Sequence, residues 1–405
     1  MRKMTPLERL IPYNEALKRI NKSIVPIERV ETVSIENALE RVLAENIVAN
    51  MSVPPFDRAA MDGYAVRAKD TEGASSTKPR TLKLVQTLHA GESSSKTLGS
   101  GECIQVATGS PIPKCADAVV IVEVTQRSDG SVSILEPVGT GENISLRGED
   151  IEKGRVILKA GEQLFPAKIG VLAALGKKEV RVYAKPLVAI VPTGTEIREI
   201  GSLLEEGQVY DVNSYTLTAV ISRNGAVAAR VKAVPDDLEE LGKAIKKLAD
   251  CDIIVFSGGS SVGERDLLGE VIRRLGEVVF HGIEIKPGKP TLFALVNQKP
   301  VFGMPGYPTS CLNNAYLLLL PAIRQMARLP PKTERTVRVR LAKKLISSSD
   351  RMQFLTVRVG KGQAYPVFKH SGAITSMAGA DGYIILPTNV TVMKKGQEVT
   401  VILFD

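Results

Sequence analysis

The sequence predicts a multidomain α/β protein, and three observations support that fold class. Residues 187–330 alternate apolar strand-like runs with amphipathic helical segments, which predicts one doubly wound parallel-sheet domain. Residues 72–145 hold short or alternating apolar runs separated by Gly, Ser and Pro, which predicts a small β domain inserted in the chain. Residues 332–405 contain only short strand-like runs, so we expect a second small β domain there.

The composition narrows the class of protein further. The 405 residues suit two to three domains at roughly 150 residues each. With 44% hydrophobic and 24% charged residues, the chain has an ordinary globular composition and is not mainly disordered. The net charge of +9 favours anionic partners, but only 4% of the residues are aromatic and no basic block occurs. Nucleic acid is therefore not an expected partner.

The cysteines and the N-terminal segment favour a cytoplasmic protein. The four cysteines and three histidines are scattered without metal-ligand spacing, so the sequence gives little support to a zinc site or to disulfides. The first residues lack the apolar core of a signal peptide. No apolar run approaches the roughly 18 residues that a membrane helix needs, so no membrane contact is expected.

The central domain is expected to alternate strands and helices. The predicted strands are Leu187–Val191, Val227–Ala233, Asp252–Phe256 and Glu277–His281. The predicted helices lie at Ser214–Arg223, after Asp236, at Asp266–Leu275 and from about Thr309 to Met326. Asn213, the pair of Asp236 and Glu239, and Thr309 or Ser310 are the expected N-terminal caps.

The flanking regions show weaker patterns. Expected strands are Thr81–Val85, Cys103–Ala107, Ala118–Val124, Ser131–Leu135, Val337–Leu341, Phe354–Val359, Gly382–Leu386 and Glu398–Leu403. Thr5, Pro6 and Glu8 suggest an opening helical turn, Asn14–Ile20 a second helix, and Pro166–Leu175 a helix ended by Gly176. Residues 29–50 predict a strand followed by a short helix that turns Leu39, Val42 and Leu43 inward.

Four segments carry candidate binding or catalytic residues. Each follows a strand of the central domain or lies in a turn beside one. Residues 192–197 contain Glu196, and residues 257–266 combine Ser257, Gly258, Gly259 and Ser260 with Asp266. Residues 285–291 hold Lys286 and Lys289 between prolines, and residues 303–310 include Ser310. Ligands of open α/β sheets bind outside the carboxyl ends of the strands, so these groups are expected in one cleft. Carboxylates for a cation beside glycines and lysines for anions suit metal-assisted chemistry on a phosphate-containing substrate.

Each of these signals also has a plainer interpretation. Asp57 and Asp62, in the segment PPFDRAAMDGYAV, could bond local amides of a structured turn in which Gly63 supplies a special conformation. Asp150, in RGEDI, could face a metal or lie in a solvated turn. Asp266 could hold Mg²⁺ or simply favour the start of a helix, and the two lysines could form a basic surface turn.

Taken in order, the segments PPFDRAAMDGYAV, RGEDI, PTGTEI, DVNSY, SGGSSVGERD, IKPGKPT and GMPGYPTS closely resemble the molybdopterin molybdenumtransferase (MoeA) family, which includes the E domain of gephyrin. The central domain is also similar to the molybdopterin adenylyltransferases (the MogA and MoaB family). The resemblance implies insertion of molybdate into adenylylated molybdopterin, with Mg²⁺-dependent hydrolysis of the adenylyl bond and release of AMP. It also implies a homodimer in which the central domain of one chain meets the 54–66 segment of the other.

The resemblance implies roles for individual residues. Asp62, Asp150, Glu196 and Asp266 would form the catalytic acidic set, and Asp62, Glu196 and Asp266 would face the metal. Lys286, Lys289 and Pro290 would lie near the oxyanion, and Arg351 and Ser371 would be the contributions of the C-terminal domain. The remaining predicted anion-binding residues are Ser257, Gly258, Gly259, Ser260 and Ser310. Ala59 and Tyr307 depart from the family pattern, which bears on substrate contacts.

The resemblance also implies four domains. An elongated α+β linker domain would comprise 21–46 and 143–180, and an inserted β domain 47–142. A MogA/MoaB-like catalytic domain would comprise 5–20 and 181–330, and the C-terminal β domain 331–405.

Two other functions stay open at this point. The protein could be a molybdopterin adenylyltransferase, although residues 21–180 and 332–405 are superfluous for that reaction. It could also be a non-catalytic scaffold of the gephyrin E-domain type. A contact with the molybdopterin adenylyltransferase is a further expectation, and the sequence does not distinguish molybdate from tungstate.

Overall fold

The computed structural model describes residues 10–89, 91–258, 266–347 and 351–404. The chain forms two compact units. The smaller unit comprises Thr32–Leu39 and Leu43–Arg181, and the larger unit comprises the chain up to Glu31, Glu40–Val42, and the chain from Val182 onward. Across the described ranges, no helix has the length and apolar character needed to cross a membrane.

The smaller unit is built around a six-stranded sheet, as its alternating sequence predicts. In spatial order the strands are Ala118–Ile121, Gly63–Val66, Glu102–Val106, Arg80–Leu88, Ser131–Ile134 and Thr125–Ser128. Short strand pairs accompany this sheet: Arg58–Ala59 with Ile144–Ser145, and Ile47–Val48 with Val156–Leu158. Its helical segments are Ile35–Asn37, Ala68–Thr71, Val122–Val124 and Pro166–Ala174. The predicted small β domain and the predicted helix near 166 are therefore confirmed.

Gly63 has a different role from the one the sequence suggests. It begins the strand Gly63–Val66, and a Cβ atom placed on it would lie 2.1 Å from the carbonyl oxygen of Val120. The requirement for glycine therefore comes from close packing against the neighbouring strand. It does not come from a special turn conformation.

The short helix expected within residues 29–50 does not form. The chain makes a strand at Val30–Ser34 and a single 3₁₀ turn at Ile35–Asn37. Glu40 has a φ angle of 63°, a left-handed value that no α-helical residue adopts. The helix therefore cannot continue past this point, and Leu39 is 51% exposed.

The larger unit contains a central six-stranded sheet. In spatial order its strands are Val227–Arg230, Leu187–Pro192, Ile253–Ser257, Lys299–Met304, Leu292–Val296 and Glu277–His281. The first four are parallel, as predicted. Leu292–Val296 runs antiparallel to both of its neighbours, so Glu277–His281 again has the direction of the first four. Asn297 and Gln298 both have positive φ angles, which makes the tight hairpin that reverses the chain before Lys299.

Helices cover both faces of the central sheet. Tyr13–Ser23, Asn213–Arg223 and the last long helix contribute to one buried cluster, and Leu238–Lys247 and Leu267–Leu275 contribute to the other. The last helix consists of Pro308–Asn314, a π turn at Ala315–Leu319, and Leu320–Met326. This arrangement is the doubly wound domain that the sequence predicts. The expected opening turn at Thr5, Pro6 and Glu8 lies outside the described residues.

Two of the predicted helix caps are displaced along the chain. Asp237, not Asp236, caps Leu238–Lys247, since its carboxylate accepts hydrogen bonds from the backbone N–H groups of Glu239 and Glu240. Asn213 is already helical, and Asp211 accepts a bond from the N–H of Ser214 instead. In both cases a carboxylate that lies before the first helical turn accepts a bond from a free N–H group of that turn.

The predicted hydroxyl cap of the last helix is also wrong. The helix starts with Pro308 in its first turn, so Thr309 and Ser310 already lie inside it, and the residue before it is Tyr307. The hydroxyl of Thr309 donates instead to the carbonyl oxygen of Ala373 at 3.2 Å.

The C-terminal sheet confirms all four strands expected beyond residue 332. Its spatial order is Ile285–Lys286, Met352–Gly360, Gln363–Pro366, Thr336–Leu341, Glu398–Leu403 and Gly382–Leu386. Gly382–Leu386 also pairs with Met352–Gly360, which closes the sheet on itself around an apolar core. A short pair (Leu345–Ile346 with Val392–Met393) and the helical turn Thr375–Ala378 complete this region.

One element of the C-terminal sheet comes from the central part of the chain. Ile285–Lys286 pairs in parallel with Met352 and Gln353, so the segment that carries Lys286 and Lys289 begins as a strand of the C-terminal sheet. Ile197–Arg198 and Val209–Tyr210 form a further short pair beside the central sheet.

Candidate functional site

The carboxyl ends of three adjacent parallel strands form the floor of the candidate site. The backbone N–H of Thr193 donates to Ser257 at 3.1 Å, and the N–H of Gly258 donates to Met304 at 3.2 Å. The segments 192–197, 257–266 and 303–310 therefore leave the sheet side by side. This is the edge at which open α/β sheets bind ligands.

Gly258 is required by the close approach of these loops. Its φ angle is 108°, and a Cβ atom there would lie 2.6 Å from the carbonyl oxygen of Thr193 and 2.8 Å from its hydroxyl. On its other side, a Cβ atom on Gly306 would be 3.6 Å from the Cα of Gly258. Backbone therefore packs against backbone where these loops leave the sheet.

Two carboxylates lie at this edge, and one of them was missed as a site residue. Glu196 folds back over Gly194, where a Cβ atom would lie 2.5 Å from the Glu196 carboxylate, so the missing side chain of glycine leaves room for it. Partial burial raises the pKa of Asp236, the nearby Thr193 hydroxyl opposes that rise, and the negative charge of Glu196 adds to it. The sequence analysis assigned Asp236 to a cap, but Asp237 takes that role. The two consecutive aspartates could have indicated a second role for Asp236, because a helix cap needs only one carboxylate.

Asp266 has a contrasting environment. One carboxylate oxygen accepts a bond from the N–H of Gly269 at 3.0 Å, and the other lies 3.1 Å from Nδ1 of His281 and 3.7 Å from Arg273. Burial raises the pKa of Asp266, but the His281 hydrogen bond and charge, with Gly269 and Arg273, outweigh it and lower the pKa overall. The structure thus gives Asp266 the helix-start role that the sequence left open.

Four further residues of this loop were predicted to bind an anion: Ser257, Gly258, Gly259 and Ser260. Ser257 is buried at the end of its strand, and Gly258 follows it. Gly259 and Ser260 lie outside the described residues, so their predicted anion contacts stay predictions.

The lysine loop has a fixed backbone and an exposed first lysine. The N–H groups of Ile283 and Thr291 both donate to the carbonyl oxygen of Lys289, at 3.0 and 2.9 Å. Lys286 is exposed, and Lys289 and Pro290 are partly buried. The loop therefore presents its ammonium groups from a set backbone, as its prolines predicted.

A cavity of 410 Å³ lies beside Lys286. Its lining residues are Lys286, Pro287, Ile346, Ser347, Gln353, Leu355 and Phe368. Ser347 and Gln353 are buried polar side chains that the sequence analysis did not select. Nothing in their local pattern marks them, because the two segments meet only through the closed C-terminal sheet.

The C-terminal domain also reaches the 303–310 loop. The N–H of Thr309 donates to the carbonyl oxygen of Ser371 at 3.1 Å, and a Cβ atom on Gly372 would lie 3.7 Å from the ring of Tyr307. Ser310 is buried in the first turn of the helix. Ser371 is thus next to the central domain, whereas the predicted anion contact of Arg351 stays a prediction.

In the smaller unit, Asp62 is held by Thr108. Its carboxylate accepts hydrogen bonds from the N–H of Thr108 at 2.6 Å and from its hydroxyl at 2.8 Å, and these bonds lower the pKa of Asp62. Thr108 was not selected from the sequence, since it lies far along the chain and carries no motif. Asp57 accepts from the N–H of Arg147 at 2.7 Å, so this carboxylate bonds an amide of a distant segment and not a local amide of its own turn. Asp150 is exposed.

The predicted metal ligands can be compared with the side chains that the structure describes. Among the residues that the structure describes, no group of three or more His, Cys, Asp or Glu side chains is placed to hold an ion. The predicted metal set of Glu196, Asp266 and Asp62 therefore stays a prediction.

Three protein-family models match the chain in sequence order. They are the MoeA N-terminal region (domains I and II) at residues 11–176, a probable molybdopterin binding domain at 189–325, and the MoeA C-terminal region (domain IV) at 338–404.

Similar proteins match over nearly the whole length. A putative molybdopterin biosynthesis protein of Methanocaldococcus jannaschii is 35% identical, over 99% of this chain and 100% of the relative. A molybdopterin molybdenumtransferase of Staphylococcus aureus is 32% identical, over 98% of this chain and 96% of the relative. A solved molybdopterin biosynthesis MoeA protein of Pyrococcus horikoshii is 41% identical, covers 98% and 100% of the two chains, and has a TM-score of 0.84.

The fold, the strand-end site and these matches define a protein of molybdenum cofactor biosynthesis that acts on molybdopterin. The chain belongs to the MoeA family, and it is an enzyme of the molybdopterin molybdenumtransferase type.

Proposed function

We propose that this enzyme inserts molybdate, or the similar tungstate, into adenylylated molybdopterin and releases AMP in a Mg²⁺-dependent hydrolysis. The observation that supports this most is the like-charged pair of Glu196 and Asp236 at the carboxyl edge of the central sheet. The negative charge of Glu196 raises the pKa of Asp236, so an ionised Asp236 beside Glu196 is costly without a cation. The lysines that suit an anion belong to a different loop.

The donor set at this edge fits Mg²⁺. Carboxylate oxygens of Glu196 and Asp236 and the hydroxyl of Thr193 are the hard oxygen ligands that this ion prefers. When bound, Mg²⁺ would supply charge neutralisation at the adenylyl phosphate. Asp266 would act from the next loop, and Asp62 would complete the acidic set from the smaller unit, with Asp150 beside it in the same role.

The phosphate and the oxyanion would be held by different groups. Ser257 and Gly258 would lead from the strand end into the phosphate loop. The N–H of Gly258 already donates to Met304, so the N–H groups of Gly259 and Ser260 would bind phosphate oxygens. Lys286 and Lys289, with Pro290 fixing the loop, would hold molybdate, and Ser310, Arg351 and Ser371 would add polar contacts from two further segments. Hydrolysis would consume one water and break the adenylyl bond, so that AMP leaves. Two Mo–S bonds would form to the dithiolene as one molybdate oxygen leaves with the two thiol protons as water, without a change in the oxidation state of molybdenum.

The proposed working form is a cytoplasmic homodimer in which Asp62 of one chain serves the central domain of the other. Mixed dimers test this. Subunit exchange between Asp62→Ala and Glu196→Ala variants should restore about a quarter of the activity, since half of the dimers are mixed and each has one intact site. Absence of any recovery from exchanged dimers would place both residues in one chain's site.

The reaction itself is tested by supplying adenylylated molybdopterin, molybdate and Mg²⁺ to the purified protein. We expect AMP release and formation of active cofactor, both dependent on Mg²⁺. If ATP and unmodified molybdopterin instead give pyrophosphate, the protein is an adenylyltransferase. If neither product forms, a scaffold role of the gephyrin type replaces the proposal. Binding to the adenylyltransferase would be measured separately by co-sedimentation.

A further inference from the structure

The lysine loop is fixed by side chains of the last helix that no sequence motif marked. Asn313 and Asn314 end the helical segment Pro308–Asn314, and both are buried. They face the loop between Lys286 and Thr291 from the side of the central domain. Buried amide groups need hydrogen-bond partners, so where these amides donate is informative.

Asn314 makes the closer contacts. Its Nδ2 donates to the carbonyl oxygen of Gly288 at 2.9 Å and to the hydroxyl of Thr291 at 2.5 Å. The Thr291 hydroxyl in turn donates to the same Gly288 carbonyl at 2.9 Å. All three groups therefore form a closed network, in which Asn314 and Thr291 are fully buried.

Gly288 and Asn314 also fit each other sterically. Gly288 has a φ angle of 110°, and a Cβ atom on it would lie 2.3 Å from Oδ1 and 2.4 Å from Nδ2 of Asn314. The amide therefore lies directly against the loop backbone, where a residue with a side chain could not sit. Asn313 adds a longer contact, from Nδ2 to the carbonyl oxygen of Pro287 at 3.4 Å.

Together with the bonds to Lys289, these contacts engage the carbonyl groups of three consecutive loop residues, Pro287 to Lys289. A loop with its carbonyl groups held inward has little freedom to move its side-chain attachment points. Two lysines of like charge repel each other, so a fixed backbone keeps both near one anion before binding.

We infer that Asn314 is a positioning residue, which holds the Gly288–Thr291 turn so that Lys286 and Lys289 are preorganised for a tetrahedral oxyanion. This inference rests on the proposed function, because molybdate is the oxyanion that the reaction uses. Asn314 itself does not touch the substrate in this account.

The test uses the full-length protein and four variants. Asn314→Asp keeps the shape but removes the donor, and Thr291→Val removes its hydroxyl partner. Asn313→Ala removes the longer contact. Asn224→Ala is the matched control, since Asn224 is also buried and donates to a backbone carbonyl, that of Val220 at 2.7 Å, away from the loop. Thermal denaturation of all four measures any general loss of stability.

Steady-state kinetics should separate positioning from stability. Losing two hydrogen bonds predicts an increase of about tenfold in the molybdate concentration for half-maximal rate in Asn314→Asp, with kcat nearly unchanged. Asn313→Ala should show a smaller increase and Thr291→Val an intermediate one. Asn224→Ala should show none, even if its Tm falls as much. Equal increases in Asn314→Asp and Asn224→Ala, or no increase in Asn314→Asp, would overturn the inference.

A second readout does not depend on the reaction. Hydrogen exchange of backbone amides in residues 283–291 should accelerate in Asn314→Asp and stay at the wild-type rate in Asn224→Ala. If the wild-type protein gives no molybdate-dependent AMP release, the proposed function fails. In that case, unchanged exchange in Asn314→Asp overturns the positioning claim as well, whereas local acceleration upholds it.

Discussion

Two acidic sites stand at the same edge of the central sheet, and their surroundings are opposite. Asp236 lies next to Glu196, so a second negative charge adds to burial in raising its pKa. Asp266 lies next to His281 and Arg273 and caps a helix, and its pKa is lowered. Asp236 therefore faces a like charge in its pair with Glu196, while Asp266 already has the positive charge of Arg273 nearby.

This difference separates groups that are prepared for a ligand from groups that hold the fold. A like-charged pair costs stability and is retained where a cation or a proton transfer uses it. A paired and capping carboxylate stabilises its own helix first. The motif SGGSSVGERD drew attention to Asp266, whereas the environment makes Glu196 and Asp236 the stronger candidates for Mg²⁺.

The largest expected effect is on turnover at the like-charged pair. Asp236→Asn or Glu196→Gln should lower kcat for AMP release by about two to three orders of magnitude, the usual cost of losing an electrostatic contribution to a transition state. Excess Mg²⁺ should recover part of the loss.

Asp237→Asn is the matched control for that prediction. It changes the neighbouring aspartate, and asparagine still caps the helix, so its turnover should stay within about twofold of wild type. A comparable loss of turnover in Asp237→Asn would show that any change in the 236–237 segment lowers the rate, and that the Glu196 and Asp236 pair has no special role.

Asp266→Asn should have the next largest effect. Asparagine retains the cap but loses the charge that faces His281, and we expect AMP release to slow by about two orders of magnitude if the carboxylate also serves the reaction. Single-turnover measurements would check this. Near-normal turnover with a lowered Tm would assign Asp266 to the fold alone.

Lys286→Ala should have a smaller and different effect. Removing one ammonium group from the lysine loop should raise the molybdate requirement about tenfold while leaving the Mg²⁺ requirement unchanged. Titrating each ligand separately checks the division of roles. An unchanged molybdate dependence would remove Lys286 from the anion site.

The smallest expected effects are on stability, and they differ in sign with pH. Because the pKa of Asp266 is lowered, its stabilisation is present above the unfolded value of about 3.9 and is lost as pH falls through the lower folded pKa. Because the pKa of Asp236 is raised, it destabilises the fold as pH rises from about 3.9 through the raised folded value. At pH 7, Asp236→Asn should therefore raise Tm and Asp266→Asn should lower it. Equal shifts in Tm would contradict the contrast.

Much of the fold follows from the sequence because periodicity and turn residues act locally. The six-residue strand Leu187–Pro192 and the helix Pro166–Ala174 were both predictable within a residue or two. The antiparallel part of the central sheet was not, because it depends on left-handed φ angles at Asn297 and Gln298 in a turn without glycine.

The site was predictable only where its residues share a motif. Glu196, Asp266 and Lys286 stand in recognisable segments, whereas Thr108, Asp236 and Asn314 act through partners distant in sequence. Asp236 was wrongly predicted to cap the helix because the true cap, Asp237, is the next residue. Only the hydrogen bonds that Asp237 accepts from Glu239 and Glu240 show which aspartate is the cap. Strand pairing of Lys286 with Gln353 likewise depends on the closed C-terminal sheet.

We expect the Glu196 and Asp236 pair to bind the divalent ion. Mn²⁺ binding in the presence of AMP, measured by electron paramagnetic resonance, tests it most directly on wild type, Asp236→Asn, Asp237→Asn and Asp266→Asn. We expect a bound ion in wild type and in Asp237→Asn, and its loss in Asp236→Asn. Binding that survives in Asp236→Asn and disappears in Asp266→Asn would contradict it.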